Sequence, residues 1–521
     1  MADSPSAEAS AADPPPPAKP ASPWAKWPTA AFVVIASTLF AMALFYEPES
    51  IPPDEGSMPT LGPGAIDSGF FLGGIQVREE DQGAWLDTLR SRGMNTVSVT
   101  DYARQGDWDS DDLRWDAEAD AEVVAEVKAA KARGMRVVLI PRVDLDDTAE
   151  RNQFMWHGMI MPRTEEQLAS WFERYTRFVV GWAEVAEQHG VDVLMVGSEL
   201  NALASTKSTG DVPILEEYFL DEDKQNDRKA ELLRHGELVD ERHLATERDG
   251  FPDLESYIDQ RIETEKAWAQ QVLGGDGVSP TEALDRRREL LGDHWTRLIE
   301  AVREVYGGPI GYAANFDQYH EVGFWKHLDV MGINAYFKLR DRLLPEDGDR
   351  ADGREGALYG LLLDGWRQAL EGIQGFRASE GITDLPLIFT EMGYTYRAQS
   401  TLHPWADSGF SLIPVAEPGA PLDPGAGGRQ ELVVWRDQPV DERERALAVR
   451  ALRQAHQELD EPFLRGILYW KLSTHEYHKD VESFLLWIGE GSGDPLIAEL
   501  QQFTILPTDV GPMKAKDTAE P

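Results

Sequence analysis

From Ser68 onward the chain repeats one beat: a short unbroken apolar run, then a stretch of helical periodicity. Runs of this kind suit strands buried on both faces of a parallel sheet, because a half-exposed strand alternates apolar with polar. Eight are present: Gly69–Val77, Met94–Thr100, Met135–Val143, Val191–Gly197, Pro309–Asn315, Val330–Phe337, Pro386–Glu391 and Gly466–Lys471. Helical stretches between them cover Gly83–Arg92, Asp116–Arg133, Thr164–Gln188, Asp293–Val305, Leu358–Phe376 and Asp441–Glu458. Gly93, Gly134 and Gly190 stand where three helices should stop, in the left-handed cap that glycine tolerates. Eight strands, nearly all with a candidate helix, are the count that closes a barrel, so the sequence predicts an α/β fold of the (β/α)8 TIM type over residues 68–505. A doubly wound open sheet is the rival, but no G-x-G-x-x-G follows any strand.

Residues 204–285 interrupt the beat. They are charged, helical in propensity and lack a convincing strand. The expectation is a helical insertion after strand four, a lid or subsite wall outside the core.

The first residues read differently. Residues 1–28 are an Ala-, Pro- and Ser-rich tail of disordered character. Residues 29–46, TAAFVVIASTLFAMALFY, carry no charge. At 1.5 Å per residue they reach about 27 Å, enough to span a bilayer core. Lys19 and Lys26 precede the run and four acids follow by residue 55, which favours a cytoplasmic amino terminus. The expectation is a single-pass transmembrane signal-anchor with the barrel on the extracytoplasmic side. A cleaved signal peptide is the alternative, since Ala41-Met42-Ala43 resembles a cleavage site. Residues 47–67 form a Pro-bearing linker and residues 506–521 a flexible tail.

Composition narrows the chemistry. There is no cysteine, which removes disulfides, thiolate metal sites and cysteine nucleophiles. The net charge of −42 repels phosphate backbones, so no nucleic-acid partner is expected. Protein partners are not readable. No H-E-x-x-H, P-loop or G-x-S-x-G occurs, and no metal or other cofactor is expected. His475 and His478 are the pair nearest to a ligand spacing.

In (β/α)8 barrels function sits at the carboxyl ends of the strands, so polar residues there carry the argument. Strand four ends VGSELN, placing Glu199 at the mouth, and strand seven ends LIFTEMGY, placing Glu391 there. An acid directly after an apolar run is costly without a partner or a use. One such acid serves equally as a helix cap, but two that converge on one bond make a glycosidase pair. Further strand-end candidates are Tyr336, Trp470 and Asn315. Each also has a plain structural reading: a packing aromatic for the first two, a loop cap for the third. Trp156, His157 and Tyr394, in loops after strands three and seven, are weaker candidates for contact with substrate.

VGSEL at 196–200, GYAANFD at 311–317, LDVMGINAYF at 328–337, FTEMGY at 389–394 and GILYWK at 466–471 together resemble glycoside hydrolase family 113. That family lies within the clan of retaining (β/α)8-barrel hydrolases with glutamates on strands four and seven, and its characterised members are β-mannanases. The resemblance covers the barrel but not the apolar segment, the insertion or the tail. It implies Glu199 as general acid/base, Glu391 as nucleophile, Tyr336 as a donor to that nucleophile and Trp470 as a platform beneath the sugar. The acid/base then calls for a raised pKa and the nucleophile for donors that keep it ionised. The clan usually has Asn before the acid/base, binding the sugar 2-hydroxyl. Here that position is Ser198, with Asn201 a possible substitute, which puts the sugar in question. A catalytically silent, membrane-tethered barrel that binds glycan or scaffolds an envelope assembly is the alternative.

Overall fold

Beyond residue 68 the alternation of buried side chains along each strand settles the architecture. The computed structural model describes residues 69–505 except 78, 209, 235, 237–250, 275–279, 342–352, 407–409, 415–430, 436–437 and 460–461. The segments 1–28, 29–46, 47–67 and 506–521 lie outside the described residues. Among the described residues no helix is long and apolar enough to cross a membrane.

Among the described residues eight parallel strands form a closed barrel. They are β1 (Phe71–Gln76), β2 (Thr96–Gln105), β3 (Arg136–Leu145), β4 (Val193–Ser198), β5 (Ile310–Asn315), β6 (Val330–Asn334), β7 (Leu387–Met392) and β8 (Leu464–Ser473). Each pairs with the next in sequence, and β8 pairs back onto β1 with Phe71 opposite Gly466. Successive residues face opposite sides of a strand, and the burial follows that period. Val138 and Ile140 of β3, Val193 and Met195 of β4, and Ile388 of β7 fill the barrel interior with Phe71, Val330 and Leu468. Their neighbours Val137, Leu139, Leu194, Val196, Leu387 and Phe389 face outward into a second cluster beneath the helices. Both faces are buried, which is why the strands read as continuous apolar runs.

The helices are α1 (Gln82–Ser91), α2 (Ala117–Ala132), α3 (Glu165–His189), α4 (Asn201–Ala204), α5 (Ile214–Leu220) and α6 (Glu222–Arg234). There follow α7 (Leu254–Val272), α8 (Pro280–Val305), α9 (Gly353–Glu380), α10 (Glu442–Gln457) and α11 (Pro495–Gln501). In α3 the buried stripe Leu168, Trp171, Phe172, Tyr175, Phe178, Val179 and Trp182 recurs at three- and four-residue spacing. Thr164 caps its start by accepting from the Gln167 amide at 3.2 Å, and Gly190 ends it at φ +66°. Gly93 and Gly134 also adopt positive φ, as the three expected stops require.

Two elements depart from the sequence reading. The Pro- and Gly-rich connection after β7 contains an antiparallel ribbon, Phe410–Pro414 with Glu431–Trp435. The insertion is also welded to the barrel. Phe219, Trp268, Ala269 and Val272 from its helices belong to the same buried cluster as the outward faces of the strands. Buried Arg287 bonds buried Glu216 at 2.9 Å, and Glu321 accepts from Ser205 Oγ at 2.7 Å and the Ile214 amide at 2.8 Å. Charge-rich stretches such as EDKQNDRKAE mask these apolar stripes in the linear sequence.

Candidate active site

β4 delivers its last polar residue by breaking geometry. Glu199 follows the strand with φ +51°, a left-handed conformation uncommon for a residue with a side chain. Strain of this sort costs on the order of 1–3 kcal/mol and persists only where the surroundings enforce it. Here the Glu199 amide donates to the Ala313 carbonyl at 2.9 Å, and the next amide, Leu200, donates to Tyr312 Oη at 3.0 Å. The Glu199 carboxylate lies against His157, 3.1 Å from Nε2.

Glu391 sits within β7, opposite Asn334 of β6, and is 3% exposed. Two donors converge on its carboxylate: Tyr336 Oη at 2.8 Å on Oε2, and Arg142 Nη2 on Oε1. Arg142, from β3, also lies 5.3 Å from the centroid of the Trp470 ring, and Lys471 Nζ lies 4.0 Å from that ring. The Trp470–Lys471 peptide bond is cis. The mouth therefore joins residues from β3, β4, β6, β7 and β8.

Burial is the strongest influence on both carboxyls and pushes each upward. At Glu391 the Arg142 charge opposes burial and the Glu199 charge reinforces it, leaving the carboxyl above its usual range. At Glu199 the His157 contact, then Arg142 and Asn334, outweigh burial and hold the carboxyl below its usual range. This resting arrangement reverses the expected order of the two groups. The physical reason is His157, a partner whose contact with Glu199 the sequence does not show. Burial also lowers the Lys471 ammonium.

Arg142 and Asn334 are the residues that strand-end reading passed over. Asn334 is fully buried; it donates to Ser198 Oγ at 3.2 Å, accepts from Thr390 Oγ1 at 2.8 Å, and is among the donors to Glu199. For Arg142 a signal existed: an arginine inside the apolar run VVLIPRV needs a buried partner.

The remaining candidates divide. His157 and Tyr336 contact the two glutamates, and Trp470 lies beside Arg142, the donor to Glu391. Ser198 commits its hydroxyl to Asn334, and Asn201 is buried at the start of α4. Asn315 accepts from the Phe316 amide at 2.9 Å, the loop-capping geometry. Tyr394 is fully buried in the outer cluster, where its carbonyl accepts from Tyr469 Oη at 3.0 Å. Trp156 is half-buried, its ring folded over Gly158 at a distance that leaves no room for a β-carbon. His475 and His478 bond separately, to Glu79 at 3.3 Å and to Ser473 at 2.6 Å. Among the described residues no group of three or more acids or histidines is arranged to hold a metal ion.

A closed (β/α)8 barrel with Glu199 at the end of β4 and buried Glu391 at the end of β7 defines a glycoside hydrolase of the barrel type. The model of Glycoside Hydrolase Family 113 matches residues 74–210 and 282–410, just over half of the chain. The chain belongs to that family. No curated protein matches it. Among solved structures it is similar to the family 113 β-mannanase AaManA of Alicyclobacillus acidocaldarius, solved in complex with ManMIm, at 17% identity and a TM-score of 0.50. That match covers 85% of this chain and 99% of the other. A family 113 β-1,4-mannanase complex is similar at 16% identity and a TM-score of 0.47, over 84% of this chain and 98% of that one. At 17% identity the likeness to AaManA speaks for the fold alone.

Proposed function

We propose that the chain is a retaining β-mannanase in which Glu391 is the nucleophile and Glu199 the general acid/base. The observation that carries the division of roles is the asymmetry of their partners. Glu391 faces an arginine that stays charged and a tyrosine hydroxyl, both suited to a carboxylate. Glu199 faces His157, a partner able to exchange a proton. The Glu199 charge is one of the influences that push the Glu391 carboxyl upward. A proton on Glu199 removes the charge that pushes Glu391 upward, so the reactive state is protonated Glu199 beside ionised Glu391.

In the first step a Glu391 oxygen bonds to the anomeric carbon while the glycosidic bond breaks and Glu199 gives its proton to the leaving oxygen. In the second, Glu199 takes a proton from water, whose oxygen displaces Glu391 and restores the original anomeric configuration. Trp470 offers its indole face to the sugar at the scissile bond. Mannan as substrate rests on the family and on the names of similar structures. The apolar run at 29–46 and the lysines before it support a barrel tethered outside the cytoplasm.

The test uses manno-, gluco- and xylo-oligosaccharides together with an activated aryl mannoside. Azide should accelerate Glu199→Ala on the aryl substrate and yield a product of retained configuration. With Glu391→Ala it should give the inverted product. Swapped outcomes reverse the roles. An absence of turnover on all these substrates would leave the silent glycan-binding barrel.

A further inference from the structure

The family match omits residues 211–281, the stretch that holds α5, α6 and α7. One side chain of that stretch bonds the short turn that carries His157. Trp268 of α7 is 1% exposed, and its Nε1 donates at 2.7 Å to the Met159 carbonyl. Met159 closes the one-turn helix His157–Met159, whose first residue contacts Glu199. The turn is short and carries few internal bonds: the Met159 amide to the Trp156 carbonyl at 2.8 Å and the Ile160 amide to the His157 carbonyl at 3.2 Å. Gly158 leaves room for the Trp156 ring against it, and that ring meets the His157 imidazole edge-on at 5.0 Å. A His–carboxylate hydrogen bond weakens steeply with distance and angle, so an outside clamp on so short a turn has leverage over it. A buried indole N–H must keep its acceptor, which makes the clamp persistent.

We propose that Trp268 is a positioning residue for the acid/base. Through the Met159 carbonyl the insertion holds the 157–159 turn in the register that sets His157 against Glu199. This rests on the reading of Glu199 as acid/base. It gives the insertion a role inside the chemistry in addition to its packing.

The experiment compares Trp268→Phe, His157→Gln and the double variant in the full chain, with Phe219→Leu as a packing control. Phe219 lies edge-on to Trp268 at 5.8 Å and has no bond to the turn. For an oligosaccharide with a poor leaving group, Trp268→Phe should lower kcat/KM about 5- to 20-fold, a fraction of a full general-acid contribution. For a dinitrophenyl glycoside, whose departure needs no proton, kcat/KM should stay within about 2-fold. There kcat and KM should fall together, because deglycosylation still needs the base. The double variant should match His157→Gln alone, and Phe219→Leu should lower Tm without changing the ratio of the two substrates. Should Trp268→Phe not fold, benzothienylalanine at position 268 keeps the bicyclic ring and removes only the N–H. Additive losses, or equal losses on both substrates, overturn the proposal. If Glu199→Ala itself shows no leaving-group dependence, the acid/base reading falls and takes this proposal with it.

Discussion

Arg142 on β3 reaches across the barrel mouth to donate to Glu391 on β7, and both side chains are almost wholly enclosed. Removing one partner of such a pair strands a buried charge, which costs about 3–5 kcal/mol. Arg142 opposes the upward push that burial exerts on Glu391. Arg142→Ala should therefore lift the Glu391 carboxyl further, moving the acidic limb of the kcat/KM profile to higher pH. Maximal kcat/KM should fall by at least about 10-fold, because a hydrogen bond between charged groups contributes about 1.5–3 kcal/mol. An unmoved acidic limb would place the essential ionisation elsewhere.

Tyr336→Phe removes the 2.8 Å donor on the other Glu391 oxygen while keeping the ring. A hydrogen bond to a charged group is worth about 1.5–3 kcal/mol, so kcat/KM should drop roughly 10- to 100-fold. The fold should persist by circular dichroism. A drop below twofold would return Tyr336 to a packing role.

A third prediction concerns stability. Glu126 of α2 is buried against Gln76 of β1, and burial pushes its carboxyl up to about 7 from a reference of 4.5. Between those values the folded chain binds the extra proton. Stability should then fall as pH rises from about 4.5 to about 7 and flatten above, by about 3 kcal/mol in all. Glu126→Gln should abolish that slope in urea unfolding at pH 5 and pH 7.5. An unchanged slope assigns it to other groups.

Replacing residues 206–284 with a short Gly-Ser linker tests how deeply the insertion is embedded. Phe219, Trp268 and Val272 lie in the outer core, and each large apolar side chain contributes roughly 1.5–3 kcal/mol on burial. Loop closure changes little with length, so lost packing dominates. The shortened protein should aggregate or lose at least about 10 °C in Tm, since each 1 kcal/mol is worth a few degrees. A shortened chain as stable as the parent would restore the insertion to a detachable lid.

The proposed topology, which rests on the apolar run at 29–46, has its own test. Protease added to intact cells or right-side-out vesicles should reach the barrel and spare an amino-terminal tag. A barrel shielded until detergent is added would reverse the orientation.

The barrel was legible because its strands bury both faces, so each appears as an unbroken apolar run, and because Gly93, Gly134 and Gly190 mark the stops of three helices between them. Glu199 and Glu391 were legible because a carboxylate directly after such a run is an anomaly in one dimension. The partners of those acids were not. His157 lies 42 residues from Glu199 and Arg142 lies 249 from Glu391, and no local pattern encodes contact over such separations. The insertion's charge count concealed the apolar stripe that docks it. Sequence alone determined the periodicity, the strand ends and the two acids, all properties of local order. Tertiary structure alone decided which donor faces which acid, which asparagine lies beneath them, and that α7 reaches the His157 turn. Electrostatics and hydrogen bonds act through distances of a few ångströms, and closure of the barrel is what sets those distances.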